Sequence, residues 1–403
     1  MQRDIEPLSP VPLPESERNF RVVCIALTCA LVVHSMLMVA VPVYALKLGA
    51  SPLMLGVVFS APYLLPLLLA IPLGGMVTRY GGRSLMIAGA VMMMVGLLLI
   101  VAFRGYGGLL AGQLLIGLGQ LQMVLAGQSV ISSLGTGPVL ERYFGWYTTW
   151  LSGGQVVGPL IAGALIDFGE TTRPAFFSMA GVALICVFFA SSLTGKARRG
   201  IRVDLRKTGF RAQSRLLKSS SGAQISVAVT ITSIFALSVH GSYLPAYLED
   251  LDVAASTIGV LVSLRAVASM LIRPFIARVI AAVGGRQIAM LVSLAALSTG
   301  LVFLGFSEHA LMIGLFSVFV GVGCGVLQPL SIVILAESVT DEQRSGALGM
   351  RMMANRGINF LAPLLFGIML ELAGFGASFF TAGVLVAIAG YLLFRFLQRL
   401  ENS

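Results

Sequence analysis

Charge is the first thing this chain lacks. Of its 403 residues only 11% are Asp, Glu, Lys or Arg, and acids number just 17, against 57% hydrophobic residues. With a mean hydropathy of +0.94, an ordinary soluble domain is excluded, because such domains carry about 25% charged residues. Cysteine is equally scarce. Cys24, Cys29, Cys186 and Cys324 all lie inside apolar runs without metal-ligand or redox spacing, so no disulfide is expected and the four read as small packing residues. Only three histidines occur, and no Ser/His/Asp, metal or nucleotide motif stands among the few polar residues. An enzyme is therefore not expected, nor a cofactor or a metal.

What is present is a series of apolar runs, each long enough to cross a hydrocarbon core of about 30 Å. Spans are read at 21–46, 53–78, 84–103, 107–134, 143–168 and 173–194, and then at 223–248, 256–282, 286–306, 309–338, 346–374 and 376–399. The fold class expected is an all-α multi-pass membrane protein with twelve transmembrane helices. Residues 1–19 are polar and contain proline, and the first apolar run is too long for a signal peptide, so the first helix is expected to remain in the mature protein.

The net charge of +10 is concentrated. Nine of the 27 Lys and Arg fall between Lys196 and Lys218, in a link between the sixth and seventh spans. Short cytoplasmic loops collect Lys and Arg, which explains this cluster without nucleic acid and places both termini in the cytoplasm. Loops on the other side carry only Lys47, Arg104 and Arg173 as bases. A lipid-surface role for the link is a weaker alternative.

The two halves repeat. ALVVH at 30–34 returns as ALSVH at 236–240, GVVFSAPYL at 56–64 as GVLVSLRAV at 259–267, and GGR at 81–83 again at 284–286. Six helices duplicated in one orientation imply two bundles, 20–194 and 223–399, related by an axis along the membrane normal, with a cytoplasmic tail at each end and the basic link 195–222 between them.

At these residues the chain resembles the major facilitator superfamily, over roughly residues 20–399. That family's loop after helix 2 follows Gly-x-x-x-Asp-Arg-x-Gly-basic-basic. Here Gly74, Arg79, Gly81 and Arg83 match, while Thr78 replaces the acid. The second copy keeps Arg273, Pro274, Arg278, Gly284 and Arg286, with Ala281 in the acid position. The resemblance implies a cytoplasmic latch, weakened by the lost charge–dipole interaction by about 0.3–1 kcal/mol; the same residues also make a plain tight turn. In the fifth span Gly154, Gly158, Pro159 and Gly163 resemble the signature of the family's antiporters, which tilts the reading to export; a helix-packing stripe is the plainer alternative. In the fourth span Gln113 stands where those antiporters often carry an arginine linked to proton coupling.

Polar groups at membrane depth are the candidates for the solute or proton pathway. His34 lies about 21 Å into the first span, and His240 holds the related place in the seventh; each is either a proton carrier, since histidine changes charge near neutral pH, or a neutral side chain bonded to a neighbouring helix. Arg265 and Arg356 have no obvious carboxylate at their depth and suit an anionic group. Arg351, stacked with Asn355 at i and i+4, is expected to pair with Glu337, Asp341 or Glu342 as part of the latch. Gln113, Gln120 and Gln328 offer amides to a polar ligand, or bridge helices. Met36, Met38, Phe59, Tyr63 and Tyr243 are read as apolar wall.

These residues suggest a monomeric secondary transporter of the inner membrane, exporting a small anionic or amphiphilic solute against protons. The rivals are an uptake symporter or facilitator, and a non-transporting receptor or partner of a lipid-handling enzyme that docks through the basic link.

Overall fold

The computed structural model describes residues 14–134, 137–194 and 220–401. The link from 195 to 219, and the latch positions Gly74 and Thr78 beyond their helical backbone, lie outside the described residues. The order is α1 (Pro14–Lys47), α2 (Pro52–Tyr80), α3 (Gly82–Ala102), α4 (Tyr106–Ser132), α5 (Gly137–Gly169), α6 (Arg173–Ser191), α7 (Ser221–Asp250), α8 (Ala255–Ile272), a 3-10 turn (Arg273–Phe275), α9 (Ile276–Val283), α10 (Arg286–Leu304), α11 (Ala310–Glu337) and α12 (Asp341–Glu401). Hydrocarbon offers the backbone no hydrogen bonds, so an apolar run that satisfies itself as a helix is the stable choice.

The ends follow local chemistry. Ser51 Oγ caps α2 by accepting from Met54 N at 3.3 Å, with Pro52 fixing the first turn. Ser220 Oγ does the same for α7 through Ala223 N at 3.2 Å. At the other end of α2, Gly81 takes φ 85°, a region open to glycine. Within α12 the apolar stretch Ala347–Arg399 runs 53 residues, about 80 Å of helix and too long for one crossing. Gly374, at φ 74° and ψ 175°, breaks it in two. With that break, and with α8 continuing through the 3-10 turn into α9, the eleven membrane-length helices among the described residues are consistent with the twelve crossings expected.

Helices α1–α6 pack among themselves, as do α7–α12; the halves meet through α2 with α12, α5 with α8, and α1 with α7. Close approaches inside each half are made at glycines. A Cβ on Gly96 would come within 2.7 Å of Gly112 O, and one on Gly300 within 2.8 Å of Phe316 O. The same device thus closes α3 on α4 and α10 on α11, where backbone contact stands in for the hydrophobic drive that lipid removes. All four cysteines are free thiols.

Candidate functional site

The two ends of the molecule differ. Taking the end away from the termini as the far end, α5 and α8 are joined there by a carboxylate: Asp167 Oδ1 accepts from Ala255 N at 2.9 Å and Oδ2 from Ser256 N at 2.8 Å. Helix α8 has Ala254 at its cap position and no side-chain cap of its own, so Asp167 supplies from the other half the acceptor and the negative charge that a helix start favours. Further along, Ser263 Oγ donates to Val156 O at 2.8 Å. Between α2 and α12, Ser60 Oγ donates to Phe360 O at 2.7 Å and Leu53 N to Glu371 Oε2 at 3.2 Å. Toward the termini, α2 exposes Met76 and Tyr80, and α5 exposes Trp146 and Trp150. The cross-half bonds described here cluster toward the far end, and Arg273 to Ser152 is the one nearest the termini.

Behind that seal lies a cavity of about 20 Å³ lined by His34, Met38 and Pro42 of α1, Phe59 and Pro62 of α2, Gln113 of α4 and Ser242 of α7. It has room for a water, not for an organic solute. Pro42 in α1 and Pro245 in α7 lie inside their helices, 203 positions apart like the repeats, and each removes one backbone donor.

The structure separates the two repeat-related histidines. His34 is part-buried on the cavity wall, with Arg356 as its charged neighbour. His240 is fully buried, its Nε2 3.0 Å from Ser317 Oγ on α11. Gln113 is buried and faces the cavity; Gln120 is part-buried on the same helix. Asn355 is engaged within its own helix, accepting from Asn359 Nδ2 at 2.8 Å. Of the expected wall, Met38 and Phe59 line the cavity. Met36 and Tyr243 do not: both are fully buried. Tyr243 packs edge-on to Phe59 at 5.1 Å and donates to Pro363 O at 2.6 Å, so it belongs to the crossing of α2 and α12. Tyr63 is part-buried beside Arg356.

Arg351 differs from its expected pairing. Glu337 is taken by Arg286 in an ion pair, and the side chains of Asp341 and Glu342 lie outside the described residues. Arg351 instead donates to Ser331 Oγ through Nε at 3.3 Å and Nη2 at 3.0 Å, and to Gln328 O at 3.4 Å. The reason is reach: Ser331 is buried on the neighbouring α11, whereas Glu337 is at that helix's end beside α10. Arg265 and Arg273 of span eight both neighbour Cys324 of α11.

The glycine loops at the termini end stay within their halves. Arg83 Nη2 donates to Ser191 O at 2.7 Å, at the C-terminus of α6, where a cation is favoured. Arg79 lies 5.2 Å over the Tyr80 ring and Arg278 5.5 Å over Phe275. Gly284 is left-handed at φ 90°. On α5, a Cβ on Gly154 would come 2.9 Å from Thr28 O and one on Gly158 2.7 Å from Val32 O. Pro159 O and Gly163 instead sit against Gly259 and Ala255 of α8. The motif therefore seats α5 on α1 by one face and on α8 by the other.

Sequence reading passed over Asp167, Ser60, Ser152 and Ser263. The signal available for Asp167 was the missing cap at Ala254; for the serines there was none, since their partners are main-chain carbonyls or an arginine more than 100 positions away.

The sequence profile of the Major Facilitator Superfamily matches residues 23–224 and 226–403. The multidrug resistance protein MdtG of Klebsiella pneumoniae is 26% identical over 376 residues, covering 89% of this chain and 88% of that protein. In fold, the chain is similar to the nucleoside transporter NupG, with TM-score 0.76 at 12% identity over 96% of this chain and 99% of that one. It is also similar to an inward-facing, unoccupied bacterial homologue of the human lysosomal transporter Spinster, with TM-score 0.76 at 14% identity over 95% and 96%. A profile match over nearly the whole length, on two helical bundles joined through α2, α5, α8 and α12, establishes that the chain belongs to the Major Facilitator Superfamily and is a multi-pass membrane transporter of small molecules.

Proposed function

We propose that this transporter is an exporter of small anionic or amphiphilic organic solutes from the cytoplasm, working by alternating access in exchange for protons. The observation that carries this reading is the one-sided seal: a carboxylate on the start of α8 and serine bonds along α2 and α5 tie the halves at the far end. The loop bases, Arg83, Arg278 and Arg286 among them, gather at the termini end, which the positive-inside rule assigns to the cytoplasm of an inner membrane. In this reading the state is closed outside and faces the cytoplasm. Rocking of 20–194 against 223–399 exchanges it for the opposite state. His34, on the cavity wall, is the proposed proton carrier. Thr78 and Ala281, without an acid in either loop, leave the outward-open state less favoured than in relatives with a charged latch. The antiporter-like glycines of α5 and the likeness to a multidrug resistance protein favour export.

The test is pH outside inverted vesicles holding the purified chain, on adding anionic and cationic amphiphiles. Proton release upon adding a compound is expected, and its loss in His34→Gln. Labelled-solute flux with no proton movement would refute the coupling. A second reading, uptake by symport or facilitated diffusion, is favoured by Gln113 in place of an arginine; the direction of solute accumulation separates the two.

A further inference from the structure

The charges inside the membrane do not balance. The described carboxylates stand at helix ends or in loops: Asp167, Glu249 and Glu371 are among those at the far end, and Glu17 and Glu337, toward the termini, are each paired with an arginine there. Four arginines lie deeper. Arg265 and Arg356 have no hydrogen-bond or ion-pair partner among the described residues, and Arg265 Nε is sealed from solvent unpaired. Arg273 Nε is sealed in the same way, while its Nη1 reaches Ser152 Oγ, on the opposite half, at 3.4 Å. A guanidinium keeps its charge when buried, and an unpaired one at this depth costs several kcal/mol unless an anion joins it.

The arginines also converge. Arg265 and Arg273, eight residues or about 12 Å apart along the helix, both neighbour Cys324. Arg351 reaches the same helix two turns on, at Gln328 and Ser331. Glycines permit this convergence: a Cβ on Gly325 would come 2.8 Å from Ser269 O, so α8 lies directly on α11. Each of these arginines retains accessible surface, so the guanidinium tips are not wholly enclosed.

We propose that Arg265 and Arg273 form a two-guanidinium site for the acidic group of an organic anion, over the Cys324–Ser331 stretch of α11. Arg351 stands nearer the entrance, and the substrate class is thereby carboxylate- or phosphate-bearing molecules, with organic cations excluded. This rests on the transport reading and deepens it. Arg273 is also a tie between the halves, so an anion that takes its Nη1 from Ser152 changes the contact between them as it binds. That links occupancy to rocking without a further device.

The experiment is thermal stabilisation of the purified full chain by benzoate, citrate and inorganic phosphate, with tetraphenylphosphonium as the cationic control, repeated on Arg265→Gln, Arg273→Gln and Arg265→Lys. Saturable stabilisation by at least one anion is expected, weakened about tenfold to a hundredfold in each glutamine variant, as loss of a hydrogen bond to a charged group implies. Arg265→Lys, keeping the charge without the fork, is expected between, which separates a lost site from a misfolded variant. Carboxylate-only or phosphate-only response identifies the acidic group. Binding of no anion, or anion binding unchanged in both glutamine variants, overturns the proposal. If tetraphenylphosphonium binds and is transported equally by wild type and Arg265→Gln, the transporter reading stands and the anion site falls.

Discussion

Asp167→Asn is the substitution that most directly probes the far-end seal. The carboxylate accepts from two consecutive backbone N–H groups at 2.9 and 2.8 Å, at a helix start with no cap of its own. Asparagine keeps one acceptor oxygen but loses the second acceptor and the charge. A charge at a helix N-terminus contributes about 0.3–1 kcal/mol, and a charge-assisted bond about twice a neutral one. Asp167 is solvent-exposed, so screening holds the charge and hydrogen-bond contributions together to about 1 kcal/mol. That shifts the closed-to-open ratio at the far end about fivefold. Spin labels at Thr171→Cys and His309→Cys, exposed on opposite halves at that end, in a background without the four native cysteines, report it as distance distributions. The longer-distance population should rise in Asp167→Asn and return toward wild type in Asp167→Glu. A ratio within twofold of wild type in a folded Asp167→Asn chain would refute the view that this carboxylate holds the gate.

Ser60→Ala removes the bond to Phe360 O at 2.7 Å from a buried hydroxyl, and the same label pair should show the seal weakened by about 0.5–1.5 kcal/mol. Gly158→Ala places a methyl 2.7 Å from Val32 O and 3.0 Å from Met36 N, backbone that cannot yield, so the melting temperature should fall by the equivalent of about 1–3 kcal/mol. Gly153→Ala, with nothing within 4 Å, should be tolerated. The Arg286–Glu337 pair is 49% and 56% exposed, so Glu337→Gln should change stability by no more than about 1 kcal/mol in a denaturation assay. His240→Leu leaves the Ser317 hydroxyl without its ring partner and should lower stability by about 1–3 kcal/mol, while His34→Gln should spare the melting temperature and abolish proton-coupled flux.

Length and hydropathy alone determined that the chain crosses the membrane some twelve times, and the repeats at 30–34 and 236–240, 56–64 and 259–267 carried the two-bundle plan. Both are local properties: an apolar run of about 20 residues becomes a helix in lipid whatever its neighbours do, and duplicated segments keep their spacing. The glycine motif on α5 was legible as a packing surface for the same reason, since small residues four apart share one face. Which surface it meets was not legible, and the answer is two helices, α1 and α8. Sequence symmetry also placed His34 and His240 as equals. Packing made one a cavity wall and the other a buried partner of Ser317, because Ser317 lies on a helix that only the tertiary fold brings alongside. Arg351 went to Ser331 instead of an acid because hydrogen-bond choice depends on distances of about 3 Å, which spacing along the chain does not encode. The seal itself joins Asp167 to residues 88 and 89 positions later. The sequence determined the helices and their charges; only the tertiary structure decided which charges meet, because that depends on how separate helices rotate and tilt against one another.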